Sequence, residues 1–231
     1  MKSFNLFSQF LMLSVSLLMF SCTPEDSNDV NQDRIYTDYE VFYNSNTDKT
    51  WVVAKFKFGN AVGTILDLKD DAFVTFNGDT LPYNIFFGGH QKEYAGRITT
   101  GSFSYTNTEG TVFVNSIPAV DTIAFPNDLD TLDKSSAYTI SWGGSALAAD
   151  EKVAIFIGTN WTWGDDALLY QELDGATDIV IGLTQLANLS VGPATCYMDR
   201  SKEVALNQGT SAGGAIRQKF RARNVNIQVV E

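Results

Sequence analysis

The side chains able to do chemistry are few: the chain holds 2 cysteines, 1 histidine and 27 acidic residues. His90, in Gly88-Gly89-His90-Gln91, would have to serve alone as the base of a hydrolase. It reads as a loop histidine in a turn. A zinc site draws on several His or Cys ligands, so neither a metal nor a cofactor is expected. Carboxylates pair at Asp70-Asp71 and Asp165-Asp166 and gather at Asp128, Asp130 and Asp133. Adjacent acids on a strand point to opposite faces, whereas a glycosidase pair comes from separate elements around a cleft. The 128–133 stretch lacks the central Gly and terminal Glu of a calcium loop. These acids read as solvated loop charge, and the chain is expected not to be an enzyme.

Two patterns suit binding better than catalysis. In Thr159-Asn-Trp-Thr-Trp-Gly-Asp165, Trp161 and Trp163 fall on one face of an extended segment. There they would stack on sugar rings while Asn160 and Asp165 hold the hydroxyls, or else bury two rings over an open sandwich edge, which is the preferred reading. Near the C-terminus Arg217, Lys219, Arg221 and Arg223 alternate with Ile216, Gln218, Phe220 and Ala222, and Arg200 and Lys202 stand on the neighbouring strand. This basic stripe would bind an anionic glycan or lipid head group, or pair with acids of the adjacent strand, again the preferred reading. A formal net charge of −11 argues against nucleic acid as a partner.

Cys22 follows a run from Phe10 to Phe20 that only Ser14 and Ser16 keep from being wholly apolar. That run is shorter than the roughly 20 residues of a membrane-spanning helix and, behind Lys2, fits a secretory signal. With Ser21 before the cysteine, the segment resembles a bacterial lipoprotein precursor. The resemblance implies removal of residues 1–21, acylation of Cys22 on sulfur and nitrogen, and a membrane held through that residue. Cys196 is then the lone remaining thiol, expected buried. Residues 22–33 carry acids, no base, and little to bury beyond Val30, and are expected to form a solvated acidic tether. Acids directly after the cysteine resemble the lipoprotein surface-export signal of the Bacteroidetes, implying an outer-membrane protein facing outward.

Beyond the tether the hydrophobic period is two almost everywhere. Val52, Ala54, Phe56 and Phe58 mark one core face; Ala72, Val74 and Phe76 mark another, ending at Asn77-Gly78, a type I′ hairpin signal. Phe103 and Tyr105 are expected to face Val112 and Val114 across a second turn. Pro118 and Pro126 bracket a boundary, giving sandwiches at 34–118 and 119–231, with a short helical crossing near 184–189 and a long C-terminal hairpin. The expected fold class is all-β: two tandem immunoglobulin-like β-sandwiches, resembling in pattern the modules of many anchored Bacteroidetes proteins. Thr80, Thr122 and Thr131, each between Asp and an apolar residue, resemble that group's O-glycosylation motif and are expected in turns or linkers. The function expected is a lipid-anchored envelope protein presenting binding or spacer modules to a glycan or envelope protein. The alternative is polysaccharide binding through Trp161 and Trp163.

Overall fold

Strict alternation of apolar and polar side chains produces the first long ribbon. The computed structural model describes residues 24–159 and 165–231, so Cys22, Trp161 and Trp163 lie outside the described residues. β1 (Glu25–Asp26) precedes β2 (Ile35–Asn44) and β3 (Lys49–Phe58), which pair so that Thr37 faces Phe56, Tyr39 faces Ala54 and Val41 faces Val52, all turned inward. β4 (Ile65–Asp67) and β8 (Gly89–Ala95) share the other side of β3, end to end; β7 (Tyr83–Asn84) pairs β8. A second sheet of β5 (Phe73–Phe76), β6 (Asp79–Thr80), β9 (Ser102–Thr106) and β10 (Val112–Ser116) covers them. Between the layers Tyr39 stacks on Phe103 at 4.2 Å, and Phe56, Phe76 and Tyr105 complete an aromatic centre.

Three expectations for this half need correction. Residues 24–33 are ordered rather than a solvated tether: β1 pairs β4 in parallel, Ser27 is buried and its Oγ accepts from Lys69 N at 3.1 Å. Gln32 Nε2 donates to the carbonyls of Ser27 and Val30, so hydrogen bonds do what apolar burial could not. The β9–β10 register places Tyr105 opposite Phe113 and Phe103 opposite Asn115, leaving Val112 and Val114 exposed. Asn107 sets that register, its Oδ1 accepting from the backbone of Glu109 and Thr111. Finally, His90 is a strand residue of β8, not a turn residue, and is buried. The Asn77-Gly78 turn is as expected, with φ of 50° and 87°.

The second sandwich follows a largely irregular stretch after Pro118. β11 (Thr131–Asp133) and β12 (Tyr138–Ser141) precede β13 (Glu151–Thr159), β14 (Asp166–Gln171) and β15 (Asp178–Ile181); a one-turn helix, α1 (Leu183–Ala187), leads to β16 (Gly192–Ala205). β17 (Gly214–Arg221) and β18 (Val225–Val230) end the chain. β14, β13, β16, β18 and β11 form one layer and the β12–β15 pair the other, enclosing Ile140, Ile155, Ile157, Ile181, Cys196 and Met198. Burial keeps the Cys196 thiol protonated, its pKa pushed up to about 12.

The two halves share one sheet. β17 pairs β16 on one side and, in parallel, β2 on the other, with Ile216 opposite Tyr39 and Phe220 opposite Tyr43. Ile216 belongs to the first core and Phe220 to the second; along β16 the inward residues Ala194 to Arg200 line the second half while Val204 packs on the first. The C-terminal hairpin thus crosses the division expected at 118/119. Between β17 and β18 three residues, 222–224, oppose two of β16, a bulge that inverts the inward parity from Phe220 and Ala222 to Ile227 and Val229.

Candidate binding face

The outward rows of the shared sheet alternate charge and aromatic surface. Paired residues of neighbouring strands point to the same side, so Leu168, Phe156 and Tyr197 form one row. Tyr170, Ala154, Asp199 and Arg221 form the next, then Lys152, Ser201, Lys219 and Phe42, then Glu203, Arg217 and Glu40. All of these but Phe42 line a groove of about 770 Å³. Its β14 end is apolar and open: Phe156, Leu168 and Tyr170 are 38%, 51% and 58% exposed. Phe156 and Tyr197 pack with ring centroids 5.9 Å apart, and Lys152 lies over the Tyr170 ring while reaching Glu172 at 2.5 Å.

At the other end three cations of the basic stripe, Arg217, Lys219 and Arg221, are neutralised. Arg217 is held between Glu40, at 2.7 Å, and Glu203. Arg221 grips Asp199 with both arms of its guanidinium, Nε to Oδ1 at 2.7 Å and Nη2 to Oδ2 at 2.8 Å; Lys219 reaches the same carboxylate at 2.8 Å. Burial pushes the Asp199 pKa up, but the Arg221 hydrogen bonds and the Lys219 charge outweigh it, and the carboxyl ends below its ordinary value. Arg217 loses by burial and gains more from Glu203 and Glu40, so its pKa rises. Both Lys219 and Arg221 also lie over the Phe42 ring, within 5.1 Å of its centroid. Arg223, beyond the β17 end, is exposed and has no acidic partner among the described residues.

Arg200 and Lys202 are not part of this face, since they oppose Phe220 and Gln218 and so point inward. Arg200 is buried in the second sandwich, where it donates to the carbonyls of Ser145 and Ala146, to Ser145 Oγ and to Glu151 Oε2. The acids that meet the stripe, Glu40, Asp199 and Glu203, were not anticipated individually. Asp199 and Glu203, four residues apart on β16 and so on one face, were a legible sign of an outward acidic row.

His90 sits apart, in the first sandwich. Its Nδ1–H donates to Leu81 O at 3.0 Å and Nε2 accepts from Leu68 N at 3.5 Å. Burial holds its pKa below the usual value against the raising effects of that bond and of Asp67. This is a histidine tying loops to a core, with no hydroxyl or thiol nucleophile among its bonded partners. Among the described residues no group of three or more His, Cys, Asp or Glu side chains is arranged to hold a metal ion. Thr80, Thr122 and Thr131 are all exposed while Leu81, Ile123 and Leu132 beside them are buried. Thr131 lies in β11 and Thr80 in β6, strand ends rather than the turns expected.

The geometry defines an all-β protein of two β-sandwiches joined through one sheet, with an amphipathic groove on its open face. No model of a known protein family matches the chain, and no curated protein matches it. Among solved structures it is similar to one described as "Structural insight into host cell surface retention of a 1.5-MDa bacterial ice-binding adhesin", at 12% identity and a TM-score of 0.23, over 86% of this chain and 66% of that one. It is also similar to the two tandem V-type regions of VCBP3, a v-region-containing chitin-binding protein, at 8% identity and a TM-score of 0.20, over 82% of this chain and 99% of that one.

Proposed function

We propose that the chain is a non-enzymatic envelope protein, held in the outer membrane by lipid on Cys22 and facing outward, whose joined sandwiches present a binding surface or act as a spacer. The supporting observation is the groove, where exposed Phe156, Leu168 and Tyr170 adjoin cations already neutralised by Glu40, Asp199 and Glu203. Such a face gains little from a polyanion and more from covering apolar surface. Labelled palmitate should enter the chain and be lost with signal processing in Cys22→Ser; unchanged labelling in that variant would exclude the anchor.

The second reading is capture of a polysaccharide. It is favoured by the exposed aromatic row of Phe156, Leu168 and Tyr170 on β13 and β14, between which Trp161 and Trp163 fall in the sequence. On a glycan array, binding by the unsubstituted chain that disappears in Trp161→Ala, Trp163→Ala and Tyr170→Ala supports capture. No glycan bound by the unsubstituted chain leaves the spacer reading in its place. Modification at Thr80, Thr122 and Thr131 would show as an intact mass above that of the sequence, falling stepwise as each is changed to Ala.

A further inference from the structure

The β7–β8 hairpin ends in Ile85-Phe86-Phe87, whose side chains are 68%, 93% and 60% exposed. Water is a costly place for three consecutive large apolar groups. The tip's backbone is nonetheless satisfied from within, since Phe86 N donates to Asn84 Oδ1 at 3.0 Å and Phe87 N to Asn84 O at 3.2 Å. The tip could therefore leave water without stranding these two donors. Gly88, at φ 57°, closes the turn directly against Ile65, whose Cδ1 would come within 2.9 Å of a Cβ placed there. Ile65 opens β4, and β1 runs parallel to β4 with Glu25 opposite Leu66, so the chain enters along this edge. Cys22 lies three positions before Glu25, a reach of at most about 11 Å. Val62, 92% exposed, lies in the β3–β4 turn at the same end. The second sandwich adjoins the opposite end, where Asn44 meets Arg221.

We propose that Ile85, Phe86 and Phe87 enter the interfacial region of the lipid bilayer that carries the acylated Cys22, fixing the protein at two points. The inference rests on the lipid-anchor reading of Cys22. One anchor leaves a molecule free to swivel and tilt; a second contact a few residues' reach away sets one orientation, with the second sandwich pointing outward. A convex tip suits a deformable interface better than a protein pocket. The charges near it do not favour an anionic surface: Lys57 and Lys69 are paired with Asp38 and Asp67, Lys55 packs at the base of the tip against Gly89, and Glu25, Asp26, Asp70 and Asp71 are close in sequence to the same strands. Insertion is therefore carried by apolar burial and is not weakened by salt.

Phe86→Cys in the full chain, expressed with its own signal, offers one reactive thiol, because Cys196 is fully buried and an acylated Cys22 is a thioether. An environment-sensitive dye on that thiol, in vesicles of phosphatidylethanolamine and phosphatidylglycerol, should shift to the blue and be quenched by spin-labelled lipid at low and high salt alike. The same dye on Leu173→Cys, a 70% exposed position in the second sandwich, should stay water-like. Acylated, vesicle-bound protein whose Phe86→Cys dye remains in water overturns the tip contact and leaves the anchor standing. If mass spectrometry finds Cys22 unmodified, the anchor reading fails, and flotation of the unlabelled chain with the same vesicles judges the tip alone. Binding weakened about tenfold or more by Phe86→Asp then supports it, and no binding by the unsubstituted chain overturns it. A dimer in lipid-free solution that Phe86→Asp dissolves would assign the tip to a second copy instead and overturn the proposal.

Discussion

Glu151→Ala should be the most damaging single polar change in the second sandwich. It would strand the Arg200 cation in the core with only carbonyl and hydroxyl oxygens, and its Nε has no partner to begin with. Breaking such a buried pair costs about 3–5 kcal/mol, read as a fall in the denaturant midpoint at unchanged slope; the apolar double variant Glu151→Leu/Arg200→Met should recover most of it. Acid should act in two stages. His90 has a lowered folded pKa, so its contribution is complete above the unfolded value of about 6.5 and is lost as pH falls through the folded one. Asp199, also lowered, contributes above the unfolded carboxylate value of about 3.9 and fails only at lower pH. Melting temperatures followed from pH 7 to strong acid should show His90→Asn removing the earlier decline. The gap between wild type and Asp199→Asn should close only in the later one.

At the scale of elements, the segment 24–33 is held to the sheet by few groups, and each can be tested. Gln32→Ala removes the bonds to Ser27 and Val30 and should cost about 1–2 kcal/mol. Amide exchange should quicken over 25–34 while β3 and β9 stay protected, since their cores do not include Gln32. That segment also shows where sequence reading stops. Strands with clean alternation, such as 35–44 and 49–58, and the Asn77-Gly78 turn could be read directly, because side-chain period and positive φ are local properties. The order of 24–33 could not, because part of it comes from Ser27 Oγ accepting from Lys69 N and Gln32 Oε1 from Thr108 N, backbone groups far along the chain. β8 escaped notice because Gly88-Gly89 looks like punctuation and Gln91-Lys-Glu93 breaks the alternation. The basic stripe and its pairing with acids of neighbouring strands were legible, but not which acids, since Glu40 reaches Arg217 across 177 positions of sequence.

For the molecule as a whole, the shared strands predict joint unfolding. Ile155→Ala, in the core of the second sandwich, should shift one calorimetric transition rather than split it in two, at about 2–5 kcal/mol for the buried truncation. A fragment ending at Pro118 should not fold alone, for it would lack Ile216 from its core and expose the whole length of β2 as a bare edge. Circular dichroism and sedimentation of that fragment, showing an unfolded or aggregated chain, would bear this out. β16 has a further consequence, a mechanical one. Its 14 residues, roughly 45 Å at strand rise, run unbroken past both cores, and β17 and β18 are laced to it along nearly that whole length. A tug between the amino-terminal end and the far loops of the second sandwich would be borne by many ladder bonds strained at once, sideways, instead of peeled one after another. Pulled from those ends the protein should behave as a stiff strut, yielding in a single rupture.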